Sequence, residues 1–174
     1  MKRVLAVALA VCTLLGGVAL AAEAQKVSFK VDGVACAGCI KPLAAALDEG
    51  GVKNATALTF VEGEGDRPVR IEGEITDDTD LSEAADLVNG ADTPCKGVVA
   101  PGLSLVLFAE LDKALSEKAI EALGEIEGVD AEKSSTDAEE GEISAKIKGG
   151  DKVTLADILE ALKDAGIEAS VVKE

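Results

Sequence analysis

The stretch Val27-Ser28-Phe29-Lys30-Val31-Asp32-Gly33-Val34-Ala35-Cys36-Ala37-Gly38-Cys39-Ile40-Lys41-Pro42-Leu43 changes its periodicity halfway along. Up to Val31, apolar and polar residues alternate, which is the pattern of a strand with one buried face. From Ile40, apolar residues recur at Ile40, Leu43, Ala44 and Leu47, the i, i+3, i+4, i+7 spacing of an amphipathic helix. Pro42 is tolerated only in a first helical turn, where amides are unpaired anyway, so the helix is predicted to begin at or just before Cys39. A strand therefore delivers two thiols, Cys36 and Cys39, to the mouth of a helix. Two cysteines at this spacing can close on one soft metal ion or on each other.

Working outward, Gly50-Gly51 ends that helix, and 54–61 and 68–75 read as two strands joined by a turn at 63–66. Asp80, with Glu83 three residues on, marks a capped helix start, and Leu81, Ala84, Ala85 and Val88 form its apolar face. Asn89-Gly90 stops it, and a last strand is expected over 96–100. The order is βαββαβ. After Pro101-Gly102 the pattern returns. It has a strand at 103–108, a helix through Leu115, Ala119, Ala122 and Leu123, and a hairpin from 130–135 and 142–148. A helix through Leu155, Ile158, Leu159 and Leu162 and a strand at 167–172 complete it. Ser28-Phe29-Lys30-Val31 and Ser104-Leu105-Val106-Leu107 correspond at an offset of about 76 residues, so two tandem α+β sandwiches are predicted. The short link at Pro101-Gly102 implies that they touch. Aligning Leu47 with Leu123 sets Asp112 against Cys36 and Leu115 against Cys39, so the second unit is expected to be structural or a docking surface.

The amino terminus reads as a leader. Met1-Lys2-Arg3 precedes an uncharged apolar run from Val4 to Leu20, and Ala-x-Ala cleavage patterns follow at 19–21 and 22–24. Residues 1–24 are thus expected to be a signal peptide, followed by units at 25–100 and 102–174. The mature protein would be exported to the periplasm or another extracytoplasmic space, with no membrane span left after cleavage. Loss of Lys2, Arg3 and Glu23 with residues 1–24 would take the formal net charge from −16 to −17. Such a surface repels a phosphate backbone, which argues against nucleic acid as a partner. Cys12 would leave with the leader, and the remaining Cys36, Cys39 and Cys95 are an odd set for an oxidising compartment. Histidine is absent, which removes Ser–His and Cys–His nucleophile systems and, with Met and Tyr missing from the mature chain, the usual axial ligands of haem. No enzyme is expected and no catalytic residue is assigned. The acidic runs at 77–78 and 137–140 read as solvated turns.

Gly33-Val34-Ala35-Cys36-Ala37-Gly38-Cys39, placed between a strand and an Ile40…Leu43…Leu47 helix, resembles the Gly-Met-Thr-Cys-x-x-Cys loop of heavy-metal-associated domains. Residues 154–169, Thr-Leu-Ala-Asp-Ile-Leu-Glu-Ala-Leu-Lys-Asp-Ala-Gly-Ile-Glu-Ala, are similar to the closing helix and strand of the same family. The resemblance implies two ferredoxin-like βαββαβ sandwiches after the signal peptide, the second lacking cysteines. With the leader, it is to exported mercury-binding proteins and copper carriers. It implies that one soft ion, Cu(I) or Hg(II) before Zn(II) or Cd(II), is held by Cys36 and Cys39 and passed to a metal transporter or another carrier in the envelope. Val34-Ala35 replace the family's Met-Thr, and valine can fill the methionine's place behind the loop.

The residue types suit that chemistry. Thiolates are soft ligands, and a helix start carries partial positive charge and unpaired amides that favour them. The segment Thr93-Pro94-Cys95-Lys96 is expected at the same edge as the CxxC loop. Cys95 is accordingly a candidate third ligand, and Lys96 is placed to offset the charge of the site. Two other readings stay open here. Thioredoxin-like proteins also place CxxC between strand and helix, with a Thr-Pro facing it, so thiol–disulfide chemistry is one. An interaction or scaffold module with a vestigial site is the other. A Cys36–Cys39 disulfide in the resting protein is compatible with all three.

Overall fold

Phe29 and Leu105, the matching apolar residues of the two corresponding strand segments, lie directly opposite each other in one antiparallel pair. The structure is a computed structural model that describes residues 23–34, 36–59, 68–94 and 101–173. A first pass of the chain gives β1 (Gln25–Asp32), α1 (Ile40–Glu49), β2 (Lys53–Thr59), β3 (Val69–Ile75) and α2 (Leu81–Gly90). A second gives β4 (Gly102–Phe108), α3 (Lys113–Gly124), β5 (Ser135–Asp137), β6 (Glu142–Lys146) and α4 (Leu155–Asp164). The α+β class read from the sequence is the observed one.

Among the described residues, six strands form a single antiparallel sheet in the order β2-β3-β1-β4-β6-β5. Read from its centre, that order is the same in both directions: β1 and β4 correspond, as do β3 and β6, and β2 and β5. The passes are thus joined edge to edge through β1 and β4, with register from Ser28 opposite Val106 to Asp32 opposite Gly102. One face carries the apolar members of each alternation: Val27, Phe29 and Val31 on β1, Ile71 on β3, Leu103, Leu105 and Leu107 on β4, and Ile143 and Ala145 on β6. They share one core with Leu43 and Leu47 of α1, Leu81 and Ala84 of α2, Leu123 of α3, and Ile158 and Leu162 of α4. The other face carries charge that crosses the junction. The Glu142 carboxylate of β6 accepts from both Lys30 of β1 and Arg70 of β3, and Lys146 donates to Asp32 at 2.5 Å.

Helix starts follow local chemistry. The Asp80 carboxylate accepts from the Ser82 amide at 3.0 Å and its hydroxyl at 2.7 Å. Burial raises the Asp80 pKa, but the Ser82 hydroxyl, the Ser82 and Glu83 amides and the charge of Lys152 outweigh it and hold the carboxyl below its ordinary 3.8. Thr154 and Asp157 form a reciprocal capping box at α4, a signal that the sequence reading passed over.

Two expected strands differ. The segment 167–172 is reduced to a single bridge, in which Ser170 and Phe108 exchange amide–carbonyl hydrogen bonds at 2.8 Å. A strand has two hydrogen-bonding edges, and one edge of β4 is taken by β1 from Gly102 to Val106, so only its end is left for the final segment. The hairpin arm expected at 130–135 lies instead at 135–137. After a single bridge between Val129 and Ile147, the carbonyl of Asp130 accepts from the Ser134 amide and hydroxyl, and this turn interrupts the pairing until Ser135. The strand expected at 96–100, the turn at 63–66 and nearly all of the leader lie outside the described residues. Among the described residues, no helix is long and apolar enough to cross a membrane.

Candidate thiol site

The site grows out of the end of β1. Gly33 takes φ 73°, a left-handed conformation that costs glycine little, and this turns the chain away from the sheet. Cys36 is extended, and its carbonyl accepts from the Cys39 amide at 3.0 Å, closing a 3₁₀ turn over Ala37–Cys39 that runs into α1. The helix begins at Ile40, so Pro42 falls in its first turn as its missing amide requires.

This turn brings the Cys36 and Cys39 sulfurs to 3.3 Å. Cys36 is half-buried at the rim, whereas Cys39 is fully buried and belongs to the core that also holds Val34 and Leu43. Cys36 faces outward, whereas the first helical turn aims position 39 at the sheet. The two are not bonded to each other. Cys36 is disulfide-bonded, and its sulfur is in hydrogen-bond contact with that of buried Cys39. A soft ion would need both sulfurs reduced.

The loop after α2 lies against this turn, as the sequence reading expected. Thr93 is buried, and the Pro94 ring reaches to 3.2 Å from the point where a Cβ on Gly38 would stand. The Cys36 sulfur is 3.6 Å from that same point. A side chain at 38 would sit tightly against the Pro94 ring, so the glycine suits the contact. Cys95 and Lys96, the candidate third ligand and its neighbouring cation, lie outside the described residues. Among the described residues, no group of three or more His, Cys, Asp or Glu side chains is arranged to hold a metal ion.

The second pass shows what replaces the thiols. Asp112, which matches Cys36, caps α3 by accepting from the Leu115 amide at 2.8 Å. Leu115, which matches Cys39, packs against the core. A hydrogen-bonded cap and an aliphatic side chain stand where the first pass has two sulfurs. A separate cleft of about 660 Å³ lies between α3 and α4, lined by Glu121, Glu125, Asp157, Glu160 and Asp164 among others. It contains no cysteine and carries no soft-metal chemistry.

No protein-family model matches the chain, and no curated protein matches it. Among solved structures, it is similar to the solution structure of the N-terminal soluble domains of Bacillus subtilis CopA, with 15% identity and a TM-score of 0.35. That likeness covers 88% of this chain and 97% of the other. A second structure, of the water-soluble region of the P-type ATPase CopA from the same organism, gives 16% identity and a TM-score of 0.35, covering 87% and 93%.

Proposed function

We propose that this protein is an exported soft-metal carrier or scavenger whose first unit, residues 25–100, binds one Cu(I) or Hg(II) ion through the thiolates of Cys36 and Cys39. The observation that carries the reading is the approach of the two sulfurs to 3.3 Å at the strand-to-helix junction. Soft thiolates at a helix start, with neither His nor Met beside them in the described site, favour an ion that accepts few sulfur ligands. Zn(II) and Cd(II) are the weaker candidates, since a closed zinc site takes four ligands. Cys36, at the rim, meets the incoming ion and Cys39 receives it from within. Cys95 is proposed as a third sulfur. The second unit, 102–174, supports the first through the shared sheet and offers a surface to a transporter or another carrier in the envelope. No catalytic step is assigned to the protein.

The test is a Cu(I) titration of the reduced full chain against a competing chelator, beside a Cys36→Ser/Cys39→Ser variant. One tight ion per chain, lost in the variant and absent before reduction, is expected. Equal binding by variant and parent would overturn the reading. A Cys95→Ser variant with unchanged affinity and stoichiometry would reject the third ligand alone.

A further inference from the structure

The two passes share a fold but not the way their helices meet. In the first, α1 and α2 come together closely: a Cβ on Gly50 would stand 2.5 Å from the Ala84 Cα. Counted from the aligned Leu47 and Leu123, Ile126 takes the place of Gly50. Counted from the helix starts Leu81 and Leu155, Ile158 takes that of Ala84. Isoleucine at both positions cannot reproduce that approach, because a close-packed contact has no room for the added methyl groups. Between α3 and α4 lies instead the cleft of about 660 Å³. Ala122, Ile126, Ala161 and Ala165, buried or half-buried, form its apolar floor. Its rails are the exposed Glu121 and Glu125 of one helix and Glu160 and Asp164 of the other.

The rail carboxylates work against the helices that carry them. Glu121 and Glu125 are like charges four residues apart, as are Glu160 and Asp164, and such pairs repel. Glu125 is the C-cap of α3 and Asp164 the last residue of α4, where the helix dipole disfavours an anion. None of the four is in an ion pair among the described residues. The first pass does not repeat the arrangement. Ala45 and Gly90 stand at the positions of Glu121 and Asp164, and Asp86, at that of Glu160, accepts from the Gly150 amide at 3.2 Å.

We propose that the α3–α4 cleft is a docking groove for a basic amphipathic helix of a protein partner. Lysine or arginine side chains of that helix lie between the acidic rails and relieve their mutual repulsion. Its apolar side chains meet the floor, removing from water the surface that Ala122, Ile126, Ala161 and Ala165 still expose. The groove gives the docking role of the second unit, on which it rests, a place and a partner chemistry. Metal binding by Cys36 and Cys39 does not enter it.

The experiment is fluorescence anisotropy of a labelled synthetic peptide, with leucine and lysine in an amphipathic helical pattern, titrated with the full chain. The groove variant is Glu121→Gln/Glu125→Gln/Glu160→Gln/Asp164→Asn. The control, Asp78→Asn/Glu110→Gln/Glu132→Gln/Glu139→Gln, also neutralises four exposed carboxylates, away from the groove. The groove variant should weaken binding about tenfold or more and the control less than about twofold. Ala161→Trp, which fills the floor and leaves every charge in place, should weaken it too. Far-UV circular dichroism establishes that each variant is folded. Equal loss in the two charge variants would mean diffuse attraction to an acidic surface and would overturn the proposal. So would no binding by the parent, or unchanged binding by the groove variant or by Ala161→Trp. Cys36→Ser/Cys39→Ser should bind the peptide as the parent does, which separates a failure here from a failure of the metal titration; loss of binding in it would place the peptide at the thiol site and reject the groove.

Discussion

Joining β1 to β4 at the centre of the sheet predicts that the two passes unfold as one. The perturbation is Leu105→Ala. Leu105 is fully buried on β4, with Phe29 of β1 opposite it on one side and Ala145 of β6 on the other. Truncating a buried leucine costs about 3–5 kcal/mol, the removed methyl groups plus the cavity they leave. Domains of this size have a stability on the order of 5–15 kcal/mol, so the variant should fold with a reduced margin. With a urea slope of about 2 kcal/mol/M, the midpoint should fall by roughly 1.5–2.5 M. The chain has neither Trp nor Tyr, so fluorescence can be assigned to an introduced reporter without background. One Trp at Asn89, exposed near the end of α2, reports on the first pass. One Trp at Val172, which is 58% exposed, reports on the second. Both reporters should show the same midpoint in the parent and the same fall in the variant, although Leu105 belongs to the second pass. A midpoint at Asn89 that Leu105→Ala leaves in place would refute the shared-sheet reasoning.

Two further predictions concern the helices. Asp80→Ala should cost about 1 kcal/mol at pH 7 through loss of the α2 cap. Because the folded Asp80 pKa is held below its ordinary 3.8, its contribution is complete above that value and lost as pH falls through the folded one, so thermal melts of parent and variant should converge in strong acid. Gly50→Ala places a Cβ 2.5 Å from the Ala84 Cα and should destabilise by about 1–3 kcal/mol, since α1 and α2 must part. Gly90→Ala meets nothing within 4 Å and should stabilise by about 0.5–1 kcal/mol, a contrast that urea midpoints will read directly.

The sequence by itself determined the elements near the site and their chemistry. Alternation through Val27, Phe29 and Val31, the helical spacing of Ile40, Leu43 and Leu47, and Pro42 in the first turn are local signals, and the structure follows each of them. The placement of the 93–94 loop beside the CxxC turn was also legible, because the order of strands and helices fixes which loops share an edge. Burial of Cys39 was not, since two cysteines at this spacing read alike until the turn between them is known. The tertiary structure alone decided that one sheet serves both passes. Alternation marks which residues of a strand face the core, but it is silent on which strand pairs with its edges, and Ser28-Phe29-Lys30-Val31 would suit many neighbours. Once β4 took the free edge of β1, the last segment could meet β4 only at Phe108, and the strand predicted there shrank to a bridge. Hydrogen-bonding edges are used once each, and that competition is settled across the whole sheet rather than within any stretch of chain.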